Sequence, residues 1–126
     1  MGSRVVARHV LQKIDSEQLQ VYMVWLPIQD GDDREDAKRS ANRIHDPRVT
    51  HYWGSDLALT EAFKAPIGLE EGHAWDVFLL YDEGTAWQGA SPPAPVSYMH
   101  QRLPLPEERT LDARRLAEEV RALLTR

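Results

Sequence analysis

Residues 72–84 read GHAWDVFLLYDEG, and inside them Val77, Phe78, Leu79, Leu80 and Tyr81 form an unbroken apolar run. The run is rich in β-branched and aromatic residues, and Asp82-Glu83-Gly84 closes it as a turn. A segment apolar on both faces tolerates water on neither. It therefore predicts a central strand with helices over both faces, and the rest of the chain must supply that cover.

A second apolar run, Val21-Tyr-Met-Val-Trp-Leu26, stops at Pro27, which cannot donate to a ladder. It predicts another interior, parallel strand, because helical patterns flank it. Before it, Val6, Val10, Lys13 and Ile14 recur at helical spacing within residues 4–16. After it, Asp32 or Asp33 can cap a helix over residues 34–44, whose apolar side is only Ala37, Ala41 and Ile44. His45-Asp46-Pro47 ends that helix, since a residue before proline disfavours helical angles. RVTHYW (48–53) reads as a strand. Gly54-Ser55-Asp56 then caps a helix carrying Leu59, Ala62 and Phe63, broken at Pro66 and Gly68.

Beyond the central run, Thr85-Ala-Trp87 starts a hairpin return, GASPPAP (89–95) is a proline-rich excursion, and VSYMHQR (96–102) alternates like an edge strand. Thr110 is placed to cap a last helix with Leu111, Leu116, Val120, Leu123 and Leu124 on one side. Asp112 falls in its first turn and Arg121 near its end, as the helix dipole favours. The predicted order is α-β-α-β-α-β-β-α in one domain over residues 1–126.

Composition narrows the function classes. Across 126 residues, 42% apolar and 28% charged is ordinary for a globular domain. Fifteen basic and twenty acidic residues leave a net charge of −5 with no block of like sign, so no footprint for nucleic acid is visible. No apolar stretch approaches a membrane span, and Arg4, Arg8, His9 and Lys13 interrupt the first residues against a signal peptide. The expectation is a cytoplasmic chain. The sequence contains no cysteine. Disulfides, thiolate metal sites and thiol nucleophiles are thereby excluded within these residues.

A parallel βαβ opening joined to an antiparallel hairpin and a final helix is the pattern of the thioredoxin fold. The strings VYMVWLP (21–27), DPRVTHYWG (46–54), AWDVFLLYDEGTAW (74–87) and PPAPVSYMHQ (92–101) occur in the order that resembles a bacterial thioredoxin-like family. The resemblance implies an α/β domain with one mixed sheet. It also implies a Cys-x-x-Cys motif and a preceding strand at or before Met1 to Ser3; the cysteines are absent, and the first strand of the fold is expected to be missing. Asp76 stands where such proteins carry a cis-proline. In a rival register, residues 21–26 are the fold's first strand and the loop 27–33 holds the motif position, again without cysteine. Either way, thiol–disulfide exchange lacks its thiolate and its resolving sulfur. What remains is a binding or interaction module with no cofactor. A removed strand would leave open edges, which natural proteins pair or cover, so a homodimer is expected, with a protein partner as a further possibility.

Other chemistry has thinner support. His73, Asp76 and His100 could meet at one corner as a metal site, the basis of an alternative non-thiol, metal-assisted enzyme. Polar residues simply ending strands is the plainer reading. His45, Asp46 and His51 could supply a base, but no nucleophile accompanies them in a known motif, and a capping Asp46 and a surface-strand His51 are the blander assignment. Four tryptophans and four tyrosines are many large rings for this length. Most belong in packing. Trp53, Trp75 and Trp87, beside loops, are the candidates for an exposed binding surface together with Asp76 and His100.

Overall fold

The computed structural model describes residues 2–26, 34–54, 57–89, 91–101 and 104–125. The architecture is a mixed α/β one. Helix α1 (Gly2–Val5) runs on as a π-helical segment (Val6–Leu11), followed by β1 (Val21–Trp25), α2 (Arg34–Ala41), β2 (Val49–Trp53), α3 (Ala58–Ala62), α4 (Lys64–Ile67), β3 (Val77–Leu80), β4 (Ser97–His100), a short 3-10 turn (Glu107–Arg109) and α5 (Ala113–Leu124). Helices and strands mix as in an α/β class, with two short helices, α3 and α4, where the sequence predicts one. The expected single mixed sheet is not formed by the described residues. β1 pairs with β2 in parallel, β3 pairs with β4 antiparallel, and no strand joins the two pairs.

The run at 77–80 keeps half of its predicted role. Phe78 and Leu80 pack on one side against the cluster of Val10, Ile14, Met99, Leu116, Ala117 and Val120, contributed by the π-helical segment and the residues just after it, β4 and α5. Val77 and Leu79 pack on the other side against Ile67, Leu69 and Ala74, with Phe63 and Tyr98. Both faces are therefore covered, as continuous hydrophobicity demands. The strand is not central, because β4 is its only strand partner among the described residues. β4 obeys the same two-sided logic. Met99, opposite Phe78, is fully buried, and Tyr98, opposite Leu79, joins the other cluster.

β1 departs from expectation. Its apolar run predicts burial on both sides, yet burial alternates: Val21, Met23 and Trp25 are half-buried while Tyr22 and Val24 are exposed. The face that carries Tyr22 and Val24 has no such cover among the described residues, so the alternation follows from which face is packed on and not from the number of strands.

Local chemistry accounts for the helix ends. Pro66 does not break α3 but sits inside α4, where a first-turn residue needs no amide hydrogen. Gly68 ends α4 at φ 72°, a left-handed angle that glycine adopts without a Cβ clash, and the amides of Gly68 and Leu69 return to the carbonyls of Ala65 and Lys64. Asp112, not Thr110, caps α5: its Oδ1 accepts from the Arg115 amide at 3.1 Å. The caps assigned to Asp32 or Asp33 and to Ser55-Asp56 lie outside the described residues. At the start of α1, Gly2 is buried against the Phe78 ring, and a Cβ there would collide with that ring.

Candidate functional sites

The β1–β2 pair carries the first candidate surface. Val21 faces Val49, Tyr22 faces Thr50, Met23 faces His51, Val24 faces Tyr52 and Trp25 faces Trp53. The two-residue period sends Tyr22, Val24, Thr50 and Tyr52 to one side. There Tyr22 is 62%, Tyr52 51% and Val24 42% exposed, and the two tyrosine rings lie 6.0 Å apart between centroids. On the other side Trp25 stacks on His51 and Trp53 at 6.0 and 6.4 Å, and its indole N–H donates to His51 Nδ1 at 3.0 Å. That bond places the imidazole proton on Nε2. His51 is therefore engaged in packing.

Arg48 ties this pair to the end of the π-helical segment and the turn that follows it. Its Nη1 donates to the carbonyls of Ile14 at 2.6 Å and Ser16 at 3.2 Å, and its Nη2 to that of Leu11 at 2.7 Å. These carbonyls close the helix end, where no intrahelical donor remains. Asp46 holds the guanidinium from the opposite side: Nε donates to Oδ1 at 3.0 Å and Nη2 to Oδ2 at 2.9 Å. Asp46 Oδ1 also accepts from the Arg48 amide at 2.9 Å, an Asx turn that leads into β2 rather than a helix cap. The side-chain hydrogen bond from Arg48 pulls the Asp46 carboxyl below its ordinary value, and the same bond raises Arg48. The clamp is legible in sequence only as far as the Asp-Pro-Arg spacing. That the guanidinium spans to residues 11–16 needs the folded chain.

The proposed His73, Asp76 and His100 corner does not assemble. His100, 3% exposed, donates from Nε2 to the Pro106 carbonyl at 2.9 Å, and its backbone carbonyl takes the Leu111 amide at 2.8 Å. It fastens the connector before α5 to β4. His73 Nδ1 lies 3.9 Å from Glu61, and the Asp76 side chain is exposed. Asp76 acts through its backbone, at φ 48°, with its carbonyl accepting from the Gln101 amide at 3.1 Å. An aspartate tolerates this left-handed angle where a branched residue would not. Among the described residues, no three His, Cys, Asp or Glu side chains lie together as a metal-ligand group. The metal-assisted reading loses the geometry it required.

The tryptophan candidates sit on different elements. Trp53 belongs to β2 and is 37% exposed. Trp75 is half-buried before β3, its amide donating to the His73 carbonyl. Trp87 is exposed, edge-on to Phe63 with centroids 5.5 Å apart, and its indole N–H donates to the Gly89 carbonyl at 3.0 Å. A separate polar cluster joins β4 to α5. Ser97 donates to Glu119 at 3.1 Å and accepts from Arg109 at 3.3 Å, and Arg109 also lies over the Tyr98 ring at 5.1 Å. The adjoining cleft of about 150 Å³, lined by Leu80, Val96, Ser97, Glu119, Ala122 and Leu123, is smaller than ligand sites of roughly 300 Å³ and more. Its serine and carboxylate are already paired with each other.

Comparison with known proteins adds no relative. No protein-family model matches the chain, and neither a curated protein nor a solved structure is similar to it. No helix among the described residues is long and apolar enough to cross a membrane.

Proposed function

We propose that this chain is a thioredoxin-like α/β domain of bacterial, cytoplasmic type that has no thiol chemistry and works as a binding or interaction module, as a homodimer. The absence of cysteine supports the redox half of this reading, since no other side chain here can attack a disulfide and be resolved. The parallel β1–β2 pair and the antiparallel β3–β4 pair are compatible with the fold half, although the pairs stay separate.

The observation that carries the binding half is the bare aromatic face of β1–β2. Among the described residues six large apolar side chains are exposed, and three of them, Tyr22, Val24 and Tyr52, share this one face. Scattered apolar exposure needs no explanation, but a contiguous patch marks an interaction site.

The test has two arms on the purified chain. Insulin reduction in the presence of dithiothreitol is expected to match the buffer blank, and turnover above it would overturn the redox reading. Light scattering at micromolar to millimolar concentration is expected to show dimer, and a monomer throughout would overturn the assembly reading.

A further inference from the structure

We infer that the outer face of β1–β2, formed by Tyr22, Val24, Thr50 and Tyr52, is a self-association surface that a second copy of this chain covers by packing the same face against it. The inference rests on the homodimer reading above and names its surface. Three features choose a second copy as the occupant. The first is charge. The chain carries −5 overall, yet neither VYMVW (21–25) nor VTHYW (49–53) contains a carboxylate, lysine or arginine. A two-fold contact here apposes no like charges, and a patch without charge offers a differently charged partner nothing to steer by. The second is shape. The two-residue period stands Tyr22 and Tyr52 as a preformed pair on adjacent strands, flanked by the smaller Val24 and Thr50. Large rings beside small side chains are self-complementary when one face is turned over another, as in packed sheets about 10 Å apart.

The third is area. Given the size of these side chains, the exposed parts of Tyr22, Val24 and Tyr52 on this face amount to about 300–350 Å². That is less than half of the ~800 Å² per partner in a standard interface, so the dimer is weak and concentration-dependent rather than obligate. A parallel pair normally has cover on both faces, and this contact supplies the missing side.

Sedimentation velocity of the full chain over a concentration series tests it. The wild type is expected to shift from monomer to dimer as concentration rises, and Tyr22→Glu with Tyr52→Glu is expected to weaken association about tenfold or more, because aromatic anchors dominate interface energy. Trp87→Glu, on an exposed ring outside β1–β2 that packs on Phe63, is expected to leave it unchanged. A dimer indifferent to the tyrosine pair but lost on Trp87→Glu would overturn this surface and keep the homodimer; a monomer at every concentration would overturn both. A dimer unaffected by any of these changes also overturns the surface. Since charged variants can misfold, amide shifts of the wild type on dilution give a second reading without mutation. Shifts confined to residues 21–25 and 49–53 support the surface, and shifts located elsewhere overturn it.

Discussion

The two strand pairs of this molecule are built from equally apolar runs and end in different states. At β3–β4 the π-helical segment and α5 cover one face and the α3–α4 region the other, so Phe78, Leu80 and Met99 meet one cluster while Val77, Leu79 and Tyr98 meet the second. At β1–β2 one face is left to solvent, and the pair is anchored at its start by Arg48 and Asp46. The lesson is that a hydrophobic run states a need for cover and not its fulfilment. In one pair the cover is intramolecular; in the other we assign it to a second copy.

Removing volume from the first pair should separate the two most sharply. Met99→Ala, at a fully buried position, is expected to cost about 2–5 kcal/mol in urea unfolding. A cost near that of an exposed site would mean that the two pairs are equally loosely packed.

Next comes the anchor. Arg48→Ala removes the guanidinium from the carbonyls of Leu11, Ile14 and Ser16, of which Ser16 keeps the Leu19 amide, and leaves Asp46 without its partner, with an expected loss of about 2–3 kcal/mol. Arg48→Lys should restore little, since an ammonium cannot reproduce the fork. Hydrogen exchange should show residues 21–25 and 49–53 losing protection before residues 77–80. The same anchor sets a pH dependence. The Asp46 carboxyl lies below its ordinary value of 3.8 in the folded chain, so the clamp's contribution is fully present above about pH 4 and is lost as pH falls through the depressed value. Comparing acid unfolding of the wild type with Asp46→Asn checks the sign, and the variant should lack that component.

Asp76→Val should cost about 1–2 kcal/mol by forcing a branched residue to φ 48°, with Asp76→Gly tolerated. Thermal melts of the two variants decide it. The smallest effect belongs to the bare face: Val24→Ser should change monomer stability by less than about 0.5 kcal/mol, measured at a concentration below association. A large loss there would show that the face is covered within the single chain, and the contrast between the pairs would fail.

Much of the local structure was readable from residue order. Val21 to Leu26 and Val77 to Tyr81 marked two strands, and Leu116 and Val120 marked the buried side of α5. The site was less readable. His73, Asp76 and His100 looked like a ligand set because their spacing around one strand allowed it. The imidazole of His100 turns instead to Pro106, and Asp76 contributes a backbone angle. Spacing along a chain bounds which residues can meet, but the direction of each side chain is set by the neighbours that pack on it.

By itself the sequence determined the absence of thiol chemistry, the alternation of helices with strands and the need of two apolar runs for cover. These follow from atoms present or missing and from periodicity, neither of which depends on distant contacts. Tertiary structure alone decided that the described strands divide into two pairs, that Arg48 closes the end of the π-helical segment, and that Tyr22 and Tyr52 stand side by side in solvent. The physical reason is that hydrogen-bond partners and burial belong to pairs of segments far apart in the chain, so no single segment specifies them.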